Sequence, residues 1–243
     1  MAFRGDPITL TRDAARLDLS RVAAEVLGGK GKGERSDMII EMRTYTLRPG
    51  TLAEAEKRFG EALPVREKYS KLAAFWHTEV GPLNQIIHVW AYDSFEARSR
   101  IRAEATKAEG WPPNIREFVT TQQSEVFLPA PFSPPLEPRQ LGGVYEIRQY
   151  TMAPGQIPGM IERWGSKIEE RVKLSPLVGA WYSEFGALNK WVHIWAYKDA
   201  GERQRIRAEA VARGVWPPGG GPAGALVKQE NMLVVPAAFS PLR

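Results

Sequence analysis

Histidine is the one side chain that exchanges a proton near neutral pH without help, and this chain carries three, His77, His88 and His193. Two of them sit in matching apolar runs, "QIIHVWAY" (85–92) and "KWVHIWAY" (190–197). An imidazole in such a setting is a candidate general base, able to take a phenolic or α-carbonyl proton. It is equally a buried histidine satisfied by Glu41 or Tyr45 on a neighbouring strand. The residues alone leave both readings open.

The surroundings repeat as faithfully as the histidines. Glu41, Arg43 and Tyr45 in "EMRTY" return as Glu146, Arg148 and Tyr150 in "EIRQY", and Trp76, Trp90 and Tyr92 return as Trp181, Trp195 and Tyr197. Arg43 and Arg148 are candidates to receive a ligand carboxylate, and the glutamates to orient the histidines. An ion pair between neighbours at i and i+2 is the plainer account, because a buried charge left unpaired is costly. The tryptophans and tyrosines are candidate lining for a small aromatic ligand, or simply core between two sheets. The absence of cysteine removes thiolate nucleophiles and cysteine-ligated metals. No HExxH or His-x-His spacing, Gly-rich phosphate loop or nucleophile elbow is present. No metal and no cofactor is expected.

These residues need elements to hold them. "IIEMRTYTL" (39–47) alternates as a strand. Residues 52–72 place Leu52, Ala55, Phe59 and Leu63 at helical spacing, with Pro64 expected to kink or break the helix. "AAFWHTEV" (73–80) and "QIIHVWAY" read as a hairpin around "GPLN", where Asn84 is a turn former. "SFEARSRIRAEATKA" (94–108) reads as a helix capped by Ser94. Glu96–Arg100 and Arg100–Glu104 stand at i,i+4, as on a solvated face. "QQSEVFLPA" (122–130) closes a β-α-β-β-α-β unit, the ferredoxin-like plan.

The chain writes that unit twice. Residues 41–113 align with 146–218 without a gap, and 31 of the 73 positions are identical. After "WPP" (111–113 and 216–218) the register slips by two where "GGGPAG" (219–224) is inserted, so "LPAPFSP" (128–134) faces "VPAAFSP" (235–241). A repeat of this length is a domain duplication rather than a solenoid. The organisation expected is an extension at 1–37 containing one helix, a first copy at 38–134, a Pro- and Gly-rich linker at 135–143 and a second copy at 144–243. Strand parity separates Ile40, Met42, Ile87 and Val89 from Glu41, Arg43, Tyr45, His88, Trp90 and Tyr92. The aliphatic face is expected beneath the helices. The polar–aromatic faces of the two copies are expected to meet inside one α/β barrel built from two ferredoxin-like units.

The motifs "MIIEMRTYTLRPG" (38–50), "WHTEVGPLNQIIHVWAY" (76–92) and "RSRIRAEA" (98–105) followed by Trp111 resemble the NIPSNAP family, and the resemblance covers both copies. It implies the dimeric α/β-barrel fold. Copy two departs at Tyr182, which stands opposite His77, at Gly201 and at "GGGPAG"; any activity is therefore expected to rest on His88 more than on His193. The family implies binding or sensing roles, and the wider barrel superfamily contains cofactor-free monooxygenases. The function expected is a small-molecule-binding or sensing barrel. The alternative is a cofactor-free enzyme, monooxygenase- or isomerase-like, acting on an aromatic or polyketide-like substrate with a barrel histidine as base.

The formal charge of +5 is dispersed among 33 basic and 28 acidic residues, and no nucleic-acid-binding signature accompanies it. The longest apolar run is far short of the roughly 18 residues a membrane span needs. With no cysteine, a cytoplasmic protein without nucleic-acid partner is expected. Self-association into a homodimer, through edge strands or the N-terminal extension, is left open.

Overall fold

A computed structural model describes residues 38–243; the helix expected within 1–37 lies outside the described residues. The first unit runs β1 (Ile39–Leu47), α1 (Leu52–Arg66), β2 (Leu72–Val80), β3 (Gln85–Tyr92), α2 (Phe95–Ala105) and β4 (Val119–Pro129). The second runs β5 (Val144–Met152), α3 (Ile157–Gly165), α4 (Ile168–Val172), β6 (Leu177–Phe185), β7 (Lys190–Tyr197), α5 (Ala200–Ala212) and β8 (Leu226–Pro236).

Local chemistry accounts for the element ends. The Ser94 hydroxyl accepts from the Ala97 N–H at 3.1 Å and starts α2, and the Asp199 carboxylate does the same for α5 through the Glu202 N–H at 2.7 Å. Asn84 and Asn189 close the two strand hairpins at φ of 57° and 56°, the left-handed region that asparagine tolerates. Pro64 does not break α1; it lies in the last turn of a helix that continues to Arg66. The second unit, without that proline, is the one whose helix divides, between Gly165 and Ile168.

The eight strands form one closed antiparallel barrel in the order β1-β3-β2-β8-β5-β7-β6-β4. Two seams join the units: β2 to β8 and β4 to β6. Closure leaves no sheet edge, so the edge strands through which self-association was left open do not exist among the described residues.

The faces are the reverse of the sequence expectation. Ile40, Met42, Ile87 and Val89 point into the barrel, where they meet Ile147, Val192 and Ile194 from the other unit together with Trp76, Tyr145 and Trp181. The polar–aromatic faces point outward, each under its own helices. Two physical reasons favour this. An eight-stranded barrel has an interior only just filled by side chains, so it suits aliphatic packing. The buried carboxylate of Glu41 needs cations, and its cations come from a helix. Arg98 and Arg102 of α2, on the stretch expected to be a solvated face, turn inward to it at 2.5 and 3.7 Å. The Glu96–Arg100 and Arg100–Glu104 pairs do not form within 4 Å.

Each unit also sends its tail across the seam. Residues after β4 pack on the second unit: the Ala130 N–H donates to the Ala180 carbonyl at 2.9 Å, Ser133 Oγ accepts from the Ala180 N–H at 3.1 Å, and Phe132 lies against Trp164 and Trp191. Residues after β8 repay this on the first unit. Ala237 bonds to Phe75, Ser240 Oγ accepts from the Phe75 N–H, and Phe239 packs on Phe59 and Phe75. Between the units, Leu141 joins the barrel core and Leu136 packs against it, while Arg139 bridges to Leu242.

Candidate binding site beneath the helices

The outward face of the first unit, roofed by α1 and α2, contains a cleft of about 560 Å³. Its floor is Arg43, Tyr45, His88 and Trp90 from β1 and β3. Its walls are Phe59 and Arg66 from α1, Arg102 from α2 and Trp111 with Ile115 from the loop before β4. The strand pairing that sets Arg43 opposite His88 and Glu41 opposite Trp90 brings these four residues together.

His88 is 3% exposed and its imidazole is hydrogen-bonded on one side only. Trp90 Nε1–H donates to His88 Nδ1 at 2.7 Å. An indole nitrogen can only donate, so Nδ1 holds the lone pair and Nε2 the proton. That Nε2 is buried without a partner. Burial, joined by the charge of Arg43, pushes the ring down to about 3, so it is neutral at physiological pH. Tyr45 meets the ring edge-on at 4.9 Å and Phe59 tilts over it at 5.1 Å. Neither Glu41 nor Tyr45 hydrogen-bonds the imidazole.

Glu41 is wholly buried and bound by Arg43, Arg98, Arg102 and the Ser124 hydroxyl. Burial alone would raise its pKa; hydrogen bonds from Arg98 and Ser124 and the charges of Arg102 and Arg43 outweigh this and hold the carboxyl at about 2. Arg43 also donates to the Tyr45 hydroxyl at 2.8 Å. Arg66 stands apart. Its guanidinium lies 4.5 Å over the Trp90 ring and donates to Ser70 and Tyr92 hydroxyls at 2.7 and 3.0 Å, with no carboxylate within 4 Å among the described residues.

Trp76 and Trp181, expected beside Trp90 and Trp195, lie instead on the opposite side of the sheet, inside the barrel. The register explains it: His88 pairs with Phe75, so Phe75 shares its face and Trp76 is turned away. Tyr92 supports Arg66 from below rather than lining the cleft. Phe59, Arg66 and Trp111 were not among the residues expected from sequence, although two of them carried the needed signal. Arg66 and Trp111 recur identically as Arg171 and Trp216. Among the described residues no group of three His, Asp or Glu is placed to hold a metal ion.

The second unit repeats the chemistry with a larger ring over its histidine. Trp195 donates to His193 Nδ1 at 2.8 Å, His193 Nε2 is again unpartnered, and Glu146 is gripped by Arg148, Arg203 and Arg207. Tyr150 meets His193 edge-on, and Tyr197 accepts from Arg171 at 3.2 Å. The position of Phe59, however, holds Trp164. Its indole packs 4.5 Å from His193 and 4.4 Å from Trp216, where Phe59 stands 5.1 Å from His88 and 5.5 Å from Trp111. His77 takes no part in either site; it pairs with Glu56 of α1 at 2.7 Å.

The duplicated unit, its barrel and this repeated pattern of residues coincide with a known domain: the NIPSNAP family model matches residues 40–134 and again 145–241. The chain belongs to the NIPSNAP family. It is 30% identical over 234 residues to human Protein NipSnap homolog 3A, covering 88% of this chain and 89% of that one. Protein NipSnap homolog of Dictyostelium discoideum is 30% identical over 182 residues, covering 73% and 78%. Among solved structures, a putative monooxygenase from Fusobacterium nucleatum superposes with a TM-score of 0.58 at 10% identity, covering 82% of this chain and 92% of the other. That likeness is one of fold.

Proposed function

We propose that this NIPSNAP protein binds a small organic molecule in the cleft of its first unit and does not turn it over. The observation that carries the reading is the state of His88. The nitrogen a base would use already accepts the Trp90 N–H, and the free nitrogen bears the proton. A general base must offer a lone pair to its substrate, whereas this site offers an N–H donor to an acceptor atom. The cleft lies in the size range of small-molecule sites, and the rings of Tyr45, Phe59, Trp90 and Trp111 are part of its lining.

The enzymatic alternative, with His88 or His193 as base on an aromatic or polyketide-like substrate, requires the imidazole to leave Trp90 and expose Nδ1. The test pairs a binding probe with a direct look at the ring. Titration with 1-anilinonaphthalene-8-sulfonate should give saturable fluorescence, lost in Phe59→Trp, which puts the second unit's blocking residue into the first. Side-chain ¹⁵N NMR should find His88 neutral and protonated on Nε2 throughout pH 5–8. A ring titrating near pH 7, or protonated on Nδ1, would overturn the reading in favour of the base.

A further inference from the structure

Arg66 is only 2% exposed, yet its partners among the described residues are neutral: two hydroxyls and the faces of Trp90 and Trp111. Burial presses its pKa downward. Two of the five guanidinium donors are taken by the hydroxyls, which leaves others for a ligand. A buried cation without a counter-ion is an unfavourable arrangement that an incoming anion relieves. The rest of the lining points the same way. Arg43, Arg102 and Arg116 also face the cleft, and among the described residues no carboxylate lines it. Glu41 lies behind the lining and is already shared among Arg43, Arg98 and Arg102. His88, at 3% exposure, adds an unpartnered Nε2–H at the floor. Phe59, Trp90 and Trp111 supply flat apolar walls, with Phe59 and Trp111 packed edge to face at 5.5 Å.

We infer that the molecule held in this cleft is a planar aromatic carboxylate, its rings against Phe59 and Trp111 and its carboxylate on Arg66 and the His88 Nε2–H. The planar guanidinium fork matches a carboxylate, and charge-assisted bonds of this kind are the strong ones. Arg43 and Arg102 already share Glu41, so the charge left to balance deep in the cleft is that of Arg66, which a monoanion matches. This inference rests on the reading of the cleft as a small-molecule site and adds the class of molecule.

The experiment titrates the full chain with 2-naphthoate, its neutral counterpart 2-naphthamide and 2-naphthyl phosphate, by calorimetry. The acid is expected to bind about tenfold or more tightly than the amide, the gain of one charge-assisted pair in a desolvated site. Arg66→Met should erase that gap while leaving the amide's affinity nearly unchanged, and Arg171→Met in the second unit should leave the gap intact. Because Arg66 also serves Ser70 and Tyr92, Arg66→Lys is the second variant. It keeps the cation without the fork and should narrow the gap only in part. Equal binding of acid and amide, a gap that survives Arg66→Met, or a phosphate that binds more tightly than the carboxylate would each overturn the inference while leaving a small-molecule site standing. Failure of all three compounds and of the anilinonaphthalene probe to bind would overturn the site itself.

Discussion

Because an indole nitrogen only donates, the contact from Trp90 writes the protonation state of His88 into the fold, and the same holds for Trp195 and His193. That neutral state makes a prediction about acid stability. In the unfolded chain each imidazole takes a proton below its ordinary value of 6.5, while folded His88 resists protonation until about pH 3. At these sites the unfolded state therefore binds more protons across this window, and their contribution to stability falls as pH is lowered from about 6.5. Glu41 adds to the loss later. Its folded value lies below the ordinary 4.5, so its contribution is complete above pH 4.5 and disappears as pH falls toward 2. That contribution is on the order of 3 kcal/mol. Urea unfolding at pH 7, 5.5 and 4.5 should reveal a decline that begins above the carboxylate range. His88→Gln/His193→Gln should cost about 1–3 kcal/mol per site at pH 7 through broken buried hydrogen bonds. The same variant should also flatten the slope between pH 6.5 and 4.5. An unchanged slope would mean that the histidines are not held neutral.

At the scale of elements, the order of strands and helices was legible from alternation, helical spacing and turn residues, as at Ser94 and Asn84. Which sheet face receives the helices was not. Alternation along β1 and β3 separates two faces, and both are apolar enough to be buried. The deciding information lay in another element: Arg98 and Arg102 on α2 are charged residues at ordinary surface spacing until Glu41, distant in sequence, gives them a reason to turn inward. The site was half legible. His88, Trp90, Arg43 and Tyr45 stood out by repetition, but the contribution of α1 was hidden. Its helical pattern identifies Phe59 as core without saying that its ring ends at the histidine. The replacement of Phe59 by Trp164 on α3 then predicts a difference between the halves. Trp164→Phe should open the second site, raising the number of 2-naphthoate molecules bound per chain, at a stability cost of about 1–3 kcal/mol for the lost core volume. A stoichiometry that stays unchanged would mean that the loop carrying Trp216 closes the second site independently.

At the scale of the molecule, closure depends on both units at once. Each contributes four strands, and each half's helix-side core is finished by the other's tail, through Phe132 on Trp164 and Phe239 on Phe59. The Pro-rich stretch that reads as a passive linker from composition places Leu141 in the barrel core, a role that no local pattern announces. A chain that satisfies these pairings internally should sediment as a folded monomer of 27.2 kDa at low micromolar concentration. Residues 38–143 and 144–243 produced as separate pieces should each self-associate or unfold alone, and combine with one another when mixed. A stable monomeric half, read by light scattering and circular dichroism, would contradict the interdependence.

Fusion of the two halves also changes what a single mutation can do. In a barrel built from two identical chains, any substitution at the position of Phe59 would appear in both clefts together, and a blocking residue would extinguish both. Here the two positions are spelled by separate codons. An indole at Trp164 could therefore trade one cavity for packing while its counterpart kept an open floor. The exchanged tails sharpen this freedom, since Phe239 belongs in sequence to the second half but packs behind Phe59 of the first half's cleft. Heredity can thus tune the first cleft from either half of the gene.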